Sequence, residues 1–371
     1  MKLGIEMDDL IRKTAELEEA CRCAKADGVL ALDTEFVWRR TYRPQLGIVQ
    51  MGGRECCWVI DCMTGLDTSA LKALIEDEDV VKILHDARQD LTHLHHWTGA
   101  NPQNVFDTQL AAAFAGFPQG IGLQKLLFEA IDVGLPKTET QTDWMQRPLS
   151  DAQVKYALDD VRYLPALRDE LMRRAAELGT QLWMLEDQVR YDDATLYADY
   201  DPETVWQRIK MRRIRLDGRG RAVLKAVAAL REELAQKWNL PRNWLGDDES
   251  LARMASEGRV GHLVHRLRGG QGDTIRGLYA EAVKTALETP EADWPEDPHR
   301  HYIREVLDAA DAALAWLEEK AASLHVDPTA IANRATVTAF VDDVTDETNP
   351  LASGWRYDVV GSELAEKFGV E

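Results

Sequence analysis

The stretch Val29-Leu-Ala-Leu-Asp-Thr-Glu-Phe36 joins an apolar run to two acids that are separated by one residue. The apolar run is typical of a buried β-strand. Since side chains alternate along a strand, Asp33 and Glu35 should point to the same face. At about 5 Å and an effective dielectric of about 20, their charges repel by about 3 kcal/mol. A divalent cation with oxygen ligands would offset this repulsion, whereas acids exposed at a strand end need no cation.

Strand and helix patterns alternate through the first 170 residues. Further strand-like runs lie at residues 46–51, 57–60, 80–84 and 105–106. Helical patterns lie at residues 71–75, 85–97 and 108–114. Asp107 stands where it can cap the last of these helices. This order predicts an α/β domain built on a mixed sheet.

A further helix is predicted from the capping-box sequence Ser150-Asp-Ala-Gln153. It should end or kink near Leu164, because Pro165 cannot continue it. Tyr156 and Asp160 are four residues apart and share one face of this helix. A phenol beside a carboxylate can hold and polarise a water molecule, but the same pair also occurs on ordinary amphipathic surfaces.

Asp90 lies about one and a half turns into the helix predicted after the strand at 80–84. Taken alone, Asp90 is an ordinary acidic residue of a helix. The order, spacing and context of Asp33/Glu35, Asp90 and Tyr156/Asp160 together resemble the DEDD exonucleases that carry a Tyr in their last motif. More closely, the chain resembles the bacterial ribonuclease D family.

The resemblance covers nearly the whole chain. Its blocks in the first half lie at residues 32–36, 42–46, 49–50, 106–111, 137–144, 147–149 and 156–164. Residues 206–209, 221–224 and 240–244 resemble an HRDC domain, the helical module of helicases and ribonuclease D. Residues 324–332 with Gly354-Trp-Arg356 resemble the second, more divergent module of the family.

The resemblance implies an α/β ribonuclease H-like exonuclease domain with a mixed sheet, followed by two small all-α HRDC-like domains. The implied boundaries are an exonuclease domain at 1–175, a connector at 176–200, and HRDC-like domains at 201–289 and 290–371. Helical patterns in the second half lie at 202–209, 219–238, 249–256, 272–287, 302–322 and 328–340. A proline-rich acidic linker is expected at 290–298.

The resemblance also implies a function. Asp33, Glu35, Asp90 and Asp160 would hold two divalent cations, Mg²⁺ or Mn²⁺, and Tyr156 would orient the attacking water. The activity would be a metal-dependent 3′–5′ exoribonuclease that acts on RNA with a free 3′ end, and tRNA precursors are the expected substrate. Two alternatives are a 3′–5′ DNA exonuclease and a non-catalytic scaffold that binds nucleic acid.

The net charge of −20 argues against a nucleic-acid partner, but its distribution changes the argument. Residues 201–290 carry 17 basic and 12 acidic side chains, whereas the rest of the chain carries 27 and 52. Phosphate contacts are therefore expected in the basic run that includes Arg208, Lys210, Arg212 and Arg213, although charge runs are more often solvated helix faces.

Two residues of the exonuclease domain were further candidates for RNA contact. Phe36 is expected either to stack on a terminal base or to belong to the core. Lys137 is expected either to contact a backbone phosphate or to be a solvated loop residue. His93, His95 and His96 share one helix and are expected to be solvated, because cations that prefer oxygen do not select imidazole.

Composition bounds the location of the protein. No run of about 18 apolar residues predicts a membrane span, and the acidic N-terminus lacks the pattern of a secretory signal. The five cysteines lie in the first 62 residues without metal-site spacing, and they are expected to be buried, reduced thiols. A cytoplasmic protein is predicted, with no membrane association and no obligate protein partner.

Overall fold

The computed structural model describes residues 10–135, 142–211, 214–298 and 301–370. The strands within these residues are β1 (Leu10–Ile11), β2 (Val29–Val37), β3 (Gln45–Gly52), β4 (Cys57–Asp61), β5 (Val81–Leu84) and β6 (Val105–Asp107). They form one mixed sheet in the order β1-β4-β3-β2-β5-β6. The β3–β4 pair is antiparallel, whereas β1–β4, β2–β5 and β5–β6 are parallel. The predicted α/β domain with a mixed sheet is confirmed.

Helices surround this sheet and continue beyond it. The helices up to residue 188 are α1 (Thr14–Asp27), α2 (Ser69–Ile75), α3 (Ala87–Thr98), α4 (Thr108–Phe114), α5 (Leu123–Ile131), α6 (Asp151–Arg162), α7 (Leu164–Leu178) and α8 (Gln181–Gln188). Next come α9 (Gly218–Trp238), α10 (Arg242–Leu245), α11 (Asp248–Glu257) and α12 (Gln271–Leu287). The last are α13 (Arg304–Leu324), α14 (Pro328–Ile331), α15 (Arg334–Asp342), α16 (Gly354–Arg356) and α17 (Ser362–Phe368). Across the described residues, no helix combines the length and the apolar character that a membrane span requires.

Helix starts follow the predicted capping signals. The Asp107 carboxylate accepts the backbone N–H of Gln109 at 2.8 Å and so caps α4. Ser150 and Gln153 form the reciprocal capping box of α6. Helix α6 ends at Arg162, and α7 begins with Pro165 in its first turn. These three local predictions are confirmed.

Two helical predictions differ from the structure. Residues 202–209 were expected to form a helix, but only Val205–Arg208 do so, as a short 3₁₀ turn. The helix expected at 328–340 is divided into α14 and α15. The break arises because the side chain of Asn333 accepts the backbone N–H of Thr336 and starts a new helix.

Among the described residues, the first compact unit comprises 10–37, 46–197 and 302–370. The last helices therefore pack on the α/β part. The Trp355 ring lies 5.5 Å from the Phe114 ring of α4 and stacks on Trp183 of α8 at 5.2 Å. Its indole N–H donates to Asp187 at 2.9 Å, and Arg356 pairs with the same carboxylate. Helices from both ends of this unit thus share one core.

The second compact unit comprises residues 38–45 and 198–301 within the described ranges. Helix α9 packs against α11 and α12 around a core that includes Val223 and Tyr279. The carboxylate of Glu232 is fully buried and accepts hydrogen bonds from Arg242 and from the hydroxyl of Tyr42. Segment 38–45 is thereby fastened to α9. The predicted boundaries at residues 175, 200 and 289 stay predictions.

The cysteines depart in part from expectation. Cys21 is buried at 5% exposure, as expected. Cys56 is exposed, so the prediction of burial is wrong for this residue. It lies in the turn between β3 and β4, where the chain runs over the surface.

The segment before α6 is held on the sheet by Arg147. Its guanidinium donates two hydrogen bonds to the Asp61 carboxylate of β4, at 2.7 and 2.8 Å. It also donates to the carbonyls of Trp144 and Gly47. A Cβ at position 47 would lie 2.6 Å from the Trp144 carbonyl oxygen, so only glycine permits this close approach. The Asp61 side chain is 4% exposed, and its charge depends on Arg147.

Arg147→Met should destabilise the protein by about 3–5 kcal/mol, because among the described residues it leaves the buried Asp61 carboxylate with only the distant Arg12 guanidinium at 4.0 Å and the Met63 N–H. Calorimetry or denaturant unfolding measures the change. Arg54→Met is the matched control, since the Arg54–Asp169 pair is 44% and 46% exposed and should contribute at most about 1 kcal/mol. Equal losses in both variants would contradict this account of Arg147.

Candidate active site

Three carboxylates from two elements meet in the first unit. Asp33 and Glu35 lie on β2, and Asp160 lies on α6, which packs against β2. One oxygen from each of the three lies within 4.8 Å of the others. The strand alternation that puts Asp33 and Glu35 on one face and the helix that carries Asp160 thus produce a single acidic cluster.

Asp90, the fourth predicted acid, is held by a hydrogen bond from β2. It lies on α3 at 9% exposure and is not one of the three clustered carboxylates. The Thr34 hydroxyl donates a hydrogen bond to Asp90 and lies 3.2 Å from Nδ1 of His93. The Phe36 ring packs edge-on against His93 with ring centres 4.0 Å apart. A threonine between the two acids of the strand motif therefore fixes the Asp90 side chain.

Burial raises the pKa of every acid in this group, and repulsion from other members raises it further for Asp33 and Glu35. Burial raises the pKa of Glu35 to about 8, with the charges of Asp160 and Asp90 as further causes. Burial likewise raises the pKa of Asp90 and of Asp160 to about 7. The pKa of Asp33 is raised by burial and by the charges of the other three acids. Asp90 is therefore electrostatically part of the group.

The donor set of this cluster fits a hard divalent cation. Among the described residues, no lysine or arginine forms an ion pair with Asp33, Glu35, Asp90 or Asp160. Carboxylate oxygens that are close together, partly withdrawn from water and without a basic partner need another positive charge to ionise together. Oxygen ligands of this kind select Mg²⁺ or Mn²⁺ rather than softer metals.

Tyr156 lies one helical turn before Asp160 and hydrogen-bonds to it. Its ring lies 6.1 Å from that of Trp144. Burial, together with the charges of Asp160, Glu35 and Asp33, raises the pKa of the phenol above its ordinary value. Tyr156 therefore stays protonated at neutral pH and acts as a hydrogen-bonding group rather than as a base.

The cluster opens into a cavity of about 720 Å³, which is within the range of ligand pockets. Its walls include Lys125 and Phe128 of α5, and Phe128 is 60% exposed. His85 also lines the cavity, with its ring nitrogens at 2.9 Å from the Thr108 hydroxyl and 3.0 Å from the Ile121 carbonyl. Sequence reasoning did not select these wall residues, since no local pattern distinguishes them from surface positions of α5.

The remaining candidates lie in different places. Phe36 of β2 is partly buried against His93 of α3, so it is neither fully exposed for stacking nor fully in the core. Arg208 and Lys210 are exposed in the second unit. Lys137, Arg212 and Arg213 lie outside the described residues. The expectation of a solvated histidine is wrong for His93, which is 7% exposed because Thr34 and Phe36 cover it.

Comparison with known proteins identifies the class of enzyme to which the chain belongs. Residues 9–176 match a sequence family described as 3′–5′ exonuclease. Ribonuclease D of Desulfotalea psychrophila is 34% identical over 337 residues, which cover 89% of each chain. Ribonuclease D of Pseudomonas paraeruginosa is 33% identical over 366 residues, covering 95% of this chain and 96% of that protein.

The structural match extends over the whole chain. The crystal structure of Escherichia coli RNase D, described as an exoribonuclease involved in structured RNA processing, superposes with a TM-score of 0.85 at 28% identity. It covers 97% of this chain and 99% of that chain. A Bifidobacterium adolescentis protein shares the fold, with a TM-score of 0.69 at 19% identity over 97% and 96% of the two chains. The chain belongs to the ribonuclease D family and is a 3′–5′ exoribonuclease with HRDC-like helical parts. Exonucleases of this type are metal-dependent and act on RNA.

Cation binding should stabilise the protein more at pH 8 than at pH 5.5. Glu35 has a folded-state pKa of about 8, and Asp90 and Asp160 of about 7, whereas unfolded carboxyls titrate near pH 4. The unfolded chain thus loses these protons first, and the cation-free fold loses stability as the pH rises towards 8. A cation at a hundredfold excess over its Kd raises the free energy of unfolding by about 2.7 kcal/mol. At low pH, protons compete with the cation for the carboxylates and reduce this gain.

The measurement is the Tm of EDTA-treated protein with and without Mg²⁺ or Mn²⁺ at both pH values. Asp160→Asn is the control and should reduce the shift at pH 8. A shift that is absent, or that is the same in the variant, would rule out a cation site at this cluster.

Proposed function

We propose that the chain removes nucleotides from the 3′ ends of RNA by hydrolysis assisted by two divalent cations, Mg²⁺ or Mn²⁺. The observation that carries the proposal is the meeting of Asp33, Glu35 and Asp160 within 4.8 Å beside Tyr156, in a cavity that a nucleotide can enter. The family membership and the exoribonuclease relative from Escherichia coli support it further.

The four acids are proposed as the cation ligands. Asp33 would contribute to both cations, as the family resemblance implies. Glu35 and Asp160 would complete one site, and Asp90, held by Thr34, would serve the other. When bound, the two cations would lower the pKa of the attacking water and stabilise the negative charge on the leaving 3′ oxygen.

Tyr156 is proposed to position the attacking water. Its hydroxyl already points to the Asp160 carboxylate, so a water molecule beside that carboxylate would lie within its reach. A raised pKa excludes Tyr156 as the proton acceptor at neutral pH. The water oxygen attacks the phosphorus that joins the terminal nucleotide to the chain and gives up a proton to solvent. The bond from this phosphorus to the 3′ oxygen of the preceding nucleotide breaks, that oxygen takes up a proton from solvent, and a nucleoside 5′-monophosphate leaves.

Precursors of tRNA are the proposed substrate, and the cytoplasm is the proposed location. The Escherichia coli relative is described as acting in structured RNA processing, which supports a structured substrate with an unpaired 3′ end. Phe36 is proposed to stack on the terminal base through the part of its ring that His93 does not cover. Arg208 and Lys210, exposed in the basic run, are proposed to contact phosphates.

Asp33→Asn should abolish nucleotide release while leaving RNA binding intact, because it removes the carboxylate assigned to both cations. The assay follows the product ladder from 5′-labelled RNA with Mn²⁺. Asp159→Asn is the matched control on α6. Asp159 pairs with Arg162 at 3.6 Å and is not in the cluster, so its variant should stay active. Near-normal activity of Asp33→Asn would overturn the assignment.

The same assay tests the substrate class. Single-stranded DNA of matched sequence should be degraded more slowly than RNA, whereas a 3′-phosphate should block both. Faster release from DNA would instead support the alternative of a DNA exonuclease.

Tyr156→Phe should lower kcat about a hundredfold, because the attacking water loses its positioning hydrogen bond. The cation-induced rise in Tm and the Kd for RNA should remain, since the carboxylates are untouched. Single-turnover kinetics and the Tm measurement separate these effects. Loss of the cation-induced shift in this variant would mean that Tyr156 supports the fold of the site rather than the water.

A further inference from the structure

We propose that a pocket in the second unit binds an unpaired segment of RNA by stacking its bases on two tryptophans and holding its phosphates with three arginines. The pocket has a volume of about 760 Å³. Its lining includes Arg40, Trp238, Trp244, Arg266 and Arg268. The inference rests on the proposed RNA substrate and gives that substrate a second binding site.

The three arginines have no internal partner among the described residues. Arg40, Arg266 and Arg268 are exposed, and none of them forms an ion pair there. No acidic residue lines the described part of the pocket. In a chain with a net charge of −20, three guanidinium groups around one pocket without an acid are a marked concentration of positive charge. Guanidinium groups bind phosphate with paired hydrogen bonds.

Other arginines of this unit serve the fold instead. Arg231 is 5% exposed and donates to the Gly246 carbonyl at 3.0 Å and to Asp248 at 2.9 Å. Arg253 pairs with Glu249 on the next turn of α11. The contrast shows that the pocket arginines are not the structural ones.

The aromatic lining supplies flat faces for bases. Trp238 ends α9 and Trp244 lies on α10, and both side chains are half-buried. Trp238 packs against the core of the unit, whereas Trp244 is not among the residues of that core. The backbone N–H of Arg266 donates to the Trp244 carbonyl at 2.9 Å and fastens the arginine segment to α10. The indoles and arginines are thus held together, and indole faces stack on any base.

The basic run that sequence analysis favoured is more fully occupied by internal contacts. Arg208 lies over the Tyr200 ring at 4.5 Å, and Lys225 pairs with Glu203 at 2.9 Å. Arg221 donates to the carbonyls of Pro295 and Leu216. Arg221 and Lys225 would lose these polar contacts on binding phosphate, whereas Arg208 can keep its ring contact and the pocket arginines have no such contact to lose among the described residues.

Unpaired RNA fits this combination better than a duplex. A duplex keeps its base faces stacked internally and offers mainly its backbone and grooves, which leaves the indoles without a role. A single strand presents bases and phosphates together, and both have partners here.

The test uses the full-length protein in EDTA, so that no RNA is degraded, and a fluorescein-labelled single strand of about 12 nucleotides. Fluorescence anisotropy measures Kd against salt. The double variant Arg266→Ala/Arg268→Ala should weaken binding about tenfold and reduce the slope of log K against log salt by about 1.4. The matched control, Arg304→Ala/Arg334→Ala, removes the same charge from exposed positions of α13 and α15 and should change Kd less than about twofold. Equal weakening by both, or by neither, would overturn the proposal.

Trp244→Ala tests the stacking. It should weaken binding of the single strand about tenfold and leave duplex binding unchanged, and Tm should stay close to the parent value because Trp244 is outside the core. Cross-linking of RNA that carries 4-thiouridine should label the peptides around Trp238 and Trp244. Labelling only elsewhere, or an unchanged Kd in Trp244→Ala, would refute the pocket.

The two proposals fail in distinguishable ways. If Arg266→Ala/Arg268→Ala binds RNA like the parent and the parent still releases nucleotides, the pocket is wrong and the proposed function stands. If Asp33→Asn retains activity, the cation assignment is wrong whatever the pocket binds.

Discussion

The electrostatic cost of holding several carboxylates close together and partly buried is the main constraint on the structure of the first unit. Asp33, Glu35 and Asp160 bring their oxygens within 4.8 Å, and their pKa values rise because burial and repulsion both oppose ionisation. Assembling this cluster therefore opposes folding. The sheet, the α6 capping box and the Arg147–Asp61 pair contribute the stabilising free energy that offsets it. The architecture thus contains a group of acids that can ionise together only beside an added positive charge.

The parts of the site that depend on short-range patterns were predictable from the sequence. Alternation along β2 places Asp33 and Glu35 together, and the four-residue spacing on α6 places Tyr156 beside Asp160. Their assembly with Asp90 came from the family resemblance. The hydrogen bonding of the Thr34 hydroxyl with Asp90 and its approach to His93 were not predicted, because these residues lie 56 and 59 positions after Thr34 and have no local signature.

The fold shows the same division. The capped helices α4 and α6 begin where their signals stand, since capping is local. The two-residue strand β1 was missed because it is too short to show alternation and owes its existence to pairing with β4. In the second unit, the charge count identified a basic region, but only tertiary contacts separate arginines that hold the fold from those that remain available, such as Arg266 and Arg268.

The packing of the last helices on the α/β part carries a consequence for biogenesis. Trp355 joins a core that includes Phe114 and against which Trp183 packs, and these two residues are some 240 and 170 positions earlier in the chain. Contacts of such long range form slowly, since the loop-closure entropy must be overcome first. On the ribosome the strands and α8 emerge well before the helices that cover them, so their apolar surface stays open to solvent or chaperones until α13 to α17 have been synthesised. The α/β part therefore reaches its native packing only after α13 to α17 have folded onto it.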